Sequence, residues 1–172
     1  MKKQGLGIRE QGSGRTVMLT RKLLLAPLLL FLIQGAPGQQ EQRSVLLPAH
    51  EAKAVSNWYS KDRSESFDGS WTPNKADIDG LESNLSQISN MKIFGWESRI
   101  RIDHPDQYYR QYVAVSVAGQ KRIFVNAFCD EKPPIDWRDR LVVVIDGATC
   151  YWQVLYNPAT KQFSNLRINA RA

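Results

Sequence analysis

The chain has little of what most catalytic and metal sites are built from. Only two cysteines, Cys129 and Cys150, and two histidines, His50 and His104, occur among its 172 residues. There is no C-x-x-C pair, and neither histidine stands at ligand-like spacing from a cysteine. The usual zinc and dithiol motifs are therefore absent, and no metal is expected. No G-x-S-x-G elbow presents a serine, and no Gly-rich loop is set to cradle a phosphate, so no cofactor is expected either. Long apolar runs are missing as well. Leu23–Ile33 is apolar for 11 residues, short of the ~20 that carry a helix across a bilayer. No span is expected in a mature form. There is no internal repeat and no low-complexity tract.

An excess of basic charge is missing where a nucleic acid would need it. The net charge is +6, but Lys2, Lys3, Arg9, Arg15, Arg21 and Lys22 crowd into residues 1–38 against Glu10 alone. Residues 39–172 hold 17 basic and 16 acidic side chains. Nucleic acid is not an expected partner.

What is present begins with an address. Met18–Lys22 is a short positive stretch, Leu23–Ile33 is apolar, and Gln34–Gly38 supplies small residues ahead of the polar run Gln39–Gln42. That order predicts a signal peptide over 18–38 and a periplasmic or extracellular destination. Ala36 or Gly38 suits the cleavage point, and the alternative is an uncleaved signal-anchor. No cysteine follows the apolar stretch, which argues against a bacterial lipid anchor. Residues 1–17 lie upstream of this complete signal, so translation is expected to begin at Met18. In an exported chain, two cysteines favour a Cys129–Cys150 disulfide. Closing a loop of about 20 residues would contribute roughly 3 kcal/mol in the chain-entropy account. Two free buried thiols are the alternative.

Residues 39–70 read as a partly ordered segment, with a brief helix within 49–59 (Ala52, Val55 and Tyr59 on one side) and a polar loop over 60–70. A domain is expected over 71–172. Thr72 can cap a helix with Pro73 preset for its first turn, and Ile78, Leu81, Leu85 and Ile88 mark one face, with Asn90 as a stop. The period then changes to two. Tyr108–Val117 and Lys121–Phe128 read as a hairpin around Ala118-Gly119, followed by strands over Leu141–Ile145, Thr149–Tyr156 and Lys161–Ile168. Asp146-Gly147 is a strong turn signal. The expected fold class is α+β, with one main helix on a curved antiparallel sheet of four to five strands, cystatin-like or NTF2-like. Trp152, Val154 and Tyr156 alternate with Tyr151, Gln153 and Leu155, and Ile123, Val125 and Ala127 with Phe124, Asn126 and Phe128. Apolar groups on both faces mean that the sheet curls or that its second face is also covered.

Several of these residues form a recognisable set: Trp71-x-Pro73, Leu81-Glu82, Tyr108–Tyr112, Val125–Phe128, Asp146-Gly147, Tyr151-Trp152, Tyr156–Thr160, Phe163-x-x-Leu166 and Asn169. Over roughly 48–172 the chain resembles a group of small exported proteobacterial proteins of unassigned function. The resemblance implies an envelope location and supplies no catalytic residue. Two departures stand at turns: Ala148 and Ala170 occupy positions where glycine is expected.

For chemistry, His104 lies between Asp103 and Asp106 and is the candidate general base of a small NTF2-like enzyme. Pro105 and the flanking charges equally mark a plain surface loop. His50 falls in a surface segment. Tyr109, Arg110, Gln111 and Tyr112 are the candidate binding residues, since tyrosine and arginine are enriched at binding hot spots. The alternative is a strand with packed rings and wet tips. Trp137 and Trp152 could line a groove or fill a core. Gln111–Val115 begins like the Q-x-V-x-G hairpin of a cystatin-type inhibitor but lacks the glycine, which keeps inhibition of a hydrolase as a further alternative. The leading expectation is an exported, non-enzymatic module that binds a protein or envelope component.

Overall fold

A computed structural model describes residues 42–59, 66–93 and 100–170. The expected signal peptide and early start lie outside the described residues, as does most of the polar loop over 60–70. The chain builds one mixed sheet of six strands with few helices, an α+β fold. In order come β1 (Ser44–Leu46), α1 (Glu51–Tyr59), β2 (Phe67–Ser70), α2 (Lys75–Ser83), β3 (Tyr109–Val117), β4 (Gln120–Phe128), β5 (Tyr151–Asn157) and β6 (Gln162–Ile168). Spatially the order is β1-β3-β4-β5-β6, with β2 also on β3.

This corrects the expected sheet in three ways. There are six strands where four to five were expected. The sheet is mixed, because β1 pairs parallel to β3, Val45 opposite Gln111. Leu141–Ile145 joins no ladder. Strands β1 and β2 are three and four residues long, too short to display an alternation. Leu141–Ile145 has the composition of a strand, yet it crosses over the sheet instead of entering it.

The helical stripe is present, but the single long helix is not. Helix α2 stops at Ser83, and a 3-10 turn, Leu85–Asn90, carries the stripe on. Side chains compete for the backbone at the break: Asn84 Nδ2 donates to the Gly80 carbonyl at 2.7 Å and Ser83 Oγ to that of Asp79 at 2.7 Å. The cap also differs. Asn74, not Thr72, accepts from the Asp77 amide while Asp77 accepts from that of Asn74, a reciprocal capping box. Gly80 lets the helix approach the sheet, since an added Cβ would meet the Tyr156 hydroxyl at 3.1 Å.

The β3–β4 hairpin turns at Ala118 and Gly119, both at positive φ, with Val117 opposite Gln120. Two such residues form the turn whose twist matches the strands. Asp68 braces it by accepting from the Gly119 amide at 2.8 Å. Bonding to Ser116 and then to Gly119 holds its carboxyl below the usual range.

Both faces of the sheet are covered. Tyr112, Val125, Trp152, Val154 and Leu166 on one face pack under Leu81, Leu85 and Ile88. On the other, Val113, Val115, Phe124 and Leu155 pack under Val55 of α1. Tyr109 and Phe128 on that same second face pack under Trp137, which comes from the β4–β5 connection. That connection is bounded by the Cys129–Cys150 disulfide. The bridge sits one residue beyond the Phe128–Tyr151 pair, so the strand pairing already brings its ends together.

Candidate functional site

The connection over residues 130–149 is irregular, and its backbone needs partners that a helix would supply internally. Buried amide side chains supply several of them. Gln111, Asn126 and Gln153 stand opposite one another on β3, β4 and β5, and all three are buried. Asn126 donates to Gln111 Oε1 at 3.0 Å, and Gln153 donates to Asn126 at 3.3 Å and to Asn169 at 3.1 Å. From this row the contacts rise into the loop. Gln111 accepts from the Val142 amide at 2.9 Å and donates to the carbonyls of Trp137 and Arg140. Asn126 donates to the Val142 carbonyl at 2.8 Å, and Asn169 donates to that of Val144. Glu51 of α1 accepts from the Leu141 amide at 3.1 Å. The amides act as a surrogate strand beneath an unpaired segment, which explains polar side chains on an otherwise apolar face.

Clamped from below, the loop exposes apolar side chains above. Ile135 is fully exposed, Ile145 is 82% exposed and Val143 is 49% exposed. At the loop base Tyr151 donates to both oxygens of Asp130, at 2.7 and 2.9 Å. Burial, with the Asp130 bond second, pushes the Tyr151 phenol up to about 12. Gly147 is required here, because it sits at φ 93 and a Cβ would lie 2.4 Å from the Tyr151 ring. Ala148 follows at φ 49 and donates to the Ala170 carbonyl at 3.2 Å. The two positions where glycine was expected thus meet at one turn.

The strand expected to expose Tyr109, Arg110, Gln111 and Tyr112 buries all four. The covering layers on both faces are the reason: Tyr109 and Gln111 lie under the loop, and Arg110 and Tyr112 face α2. Arg110 pairs with Glu82 at 3.3 Å, donates to Tyr112 Oη at 3.0 Å and reaches the carbonyls of Pro105, Asp106 and Tyr108. Tyr112 donates to Glu82 at 2.5 Å, and burial raises its phenol well above the usual range. Gln111–Val115 lies within β3 rather than at a hairpin tip, so it has no inhibitor-like reach. Trp137 and Trp152 are both core.

His104 is exposed, in the left-handed region at φ 50, before the 3-10 turn Pro105–Gln107. With Asp103 it borders two open clefts, of about 380 Å³ beside Cys129 and about 400 Å³ beside Glu82. Asp106 lines the second alone. No hydrogen bond fixes the imidazole to either aspartate among the contacts described. His50 is exposed and lies 3.4 Å from Glu51. Among the described residues, no group of three acidic, His or Cys side chains is placed to hold a metal ion, and no helix is long and apolar enough to cross a membrane.

Sequence reasoning missed the amide row, although its signal was present. A turn at 118–119 places Gln111 opposite Asn126, two polar residues embedded in apolar strands. Comparison of the chain with protein-family models, curated proteins and solved structures returned no match.

Proposed function

We propose that this chain is exported and that its folded domain is a non-enzymatic binding module of the cell envelope, docking a partner on the 130–147 loop. The carrying observation is that loop's construction. Three of the four exposed large apolar side chains among the described residues, Ile135, Val143 and Ile145, project from it. Its backbone between Trp137 and Val144 is held by buried amides, so little ordering entropy remains to be lost there on association. Apolar side chains left in water on a preorganised support are the ordinary mark of a contact surface. The order of residues 18–38 and the disulfide support an exported destination, and the resemblance to small proteobacterial proteins supports the envelope.

The test is photo-crosslinking from position 135 or 145 of the full chain in cells. A discrete adduct in the envelope fraction, lost in an Ile145→Asp variant, is the expected result. Adducts no different from those at exposed Lys92 would sink the reading. A small enzyme using His104 with Asp103 or Asp106 is the second reading, favoured by the left-handed backbone that holds His104 between two clefts. It requires an activity that His104→Ala abolishes.

A further inference from the structure

A cleft of about 460 Å³ opens where the start of α2 meets the β3–β4 and β5–β6 turns. It shares no residue with the 130–147 loop, and its size falls in the ~300–1,000 Å³ range of small-ligand sites. Its floor includes Trp71, whose indole Nε1 donates to the carbonyls of Val115 at 3.1 Å and Arg122 at 2.9 Å. Those two bonds fix the ring plane, and Lys121 lies over it, Nζ 5.0 Å from the centroid.

The polar groups around that ring are of one kind. Asn74 Oδ1 accepts from the Asp77 amide, Asn157 Oδ1 from the amides of Ala159 and Thr160, and Gln120 Oε1 from the Arg122 guanidinium. Each carbonyl oxygen is already engaged internally, Asn157 Oδ1 twice, so the NH2 groups of these amides are their more available side. Lys121 and Arg122 add cationic donors. Asp77, the one carboxylate in the lining, is engaged by the Asn74 amide at 2.8 Å. The cleft therefore offers a half-buried indole with Lys121 across it, surrounded mainly by side-chain donors, with two positive charges to one negative.

We propose that this cleft binds an acidic oligosaccharide, a run of pyranose rings bearing carboxylates. Sugar hydroxyls rotate to donate to or accept from whichever groups they meet, and a pyranose edge can pack beside the indole and the Lys121 stem. Carboxylates meet Lys121 and Arg122 in charge-assisted bonds. An acidic peptide fits less well, because each backbone N–H is an obligate donor in a lining where side-chain donors outnumber open acceptors.

The measurement is calorimetric titration of the full chain with oligogalacturonate, with neutral oligogalactose of the same length, and with polyglutamate of matched charge. Saturable binding of oligogalacturonate is expected, at least about tenfold tighter than either comparator. The double variant Lys121→Gln/Arg122→Gln should weaken it by about tenfold or more, whereas exposed Lys53→Gln should not change it. Lys53 and Lys121 are exposed and Arg122 is half-buried, so an unchanged urea midpoint of the double variant is the check that the fold is kept. Equal binding of the neutral sugar, equal binding of polyglutamate, indifference to the double substitution, or no binding would each overturn the assignment. None of these bears on crosslinking from the 130–147 loop.

Discussion

One face of the sheet lies under α2 and its 3-10 extension, while part of the other lies under an irregular loop. Helices satisfy their own backbone, so the strands beneath them are free to be apolar: Val125, Val154, Trp152 and Leu166 contribute contact area and nothing else is asked of them. The loop has no such internal bonding, so the strands beneath it carry Gln111, Asn126 and Gln153 in one row. What covers a sheet dictates what the sheet must be made of. Apart from the Arg110–Glu82–Tyr112 contacts, the helix-covered face is held by packing, which is global, whereas the loop-covered face adds to its packing a row of addressed hydrogen bonds, which are local.

Substitutions on the two faces should separate these behaviours. The largest effect is expected from Trp152→Ala under the helices, about 3–5 kcal/mol of global stability, read as a lower urea midpoint with protection falling everywhere. Gln111→Leu beneath the loop orphans the Val142 amide and the Trp137 and Arg140 carbonyls, at about 1–3 kcal/mol for each group left dry. Water entering from the loop side should limit the total to about 3 kcal/mol. Its signature is local: hydrogen exchange should rise over 137–144 before the helix-covered strands respond. Equal protection loss on both faces would erase the distinction.

Replacing Cys129 and Cys150 by serine sharpens the comparison further. The loss should be about 2–3 kcal/mol through the unfolded chain, measured by denaturation. Exchange over 137–144 should change less than in Gln111→Leu, because strand pairing and the amide row hold the loop without the bridge. Ala148→Gly should stabilise by roughly 0.5–1 kcal/mol, seen as a raised melting temperature, since alanine at positive φ is disfavoured. A further effect appears only in alkali. The Tyr151 phenol is raised to about 12 from an ordinary value near 10. The folded protein thus holds that proton after the unfolded chain has released it. The contribution is complete below pH 10 and is lost as pH rises from 10 to 12. Tyr151→Phe should flatten that part of the stability profile.

Much of this architecture was legible in the residues. The stripe from Leu81 to Ile88, the hairpin around Ala118-Gly119, the cover on both faces and the Cys129–Cys150 bridge follow from period, turn chemistry and parity. β1 and β2 were not legible, because three or four residues cannot show a period and their identity as strands comes from β3. Leu141–Ile145 misled because a β-branched apolar run looks the same whether its hydrogen-bond partners are backbone or side-chain amides. The Arg110–Tyr112 pair was read as exposed because composition along one strand does not say what lies over it.

The short strand β1 carries a consequence for timing. Ser44–Leu46 sits early in the chain, and its ladder partners are Arg110–Tyr112. In any process that delivers the chain from its N-terminus, ribosomal or through a pore, this strand emerges with nothing to pair with until β3 arrives. Closing so long an intervening stretch is slow relative to local turns. The sheet edge is therefore among the last parts to be sealed, and the chain stays threadable until most of it has been delivered.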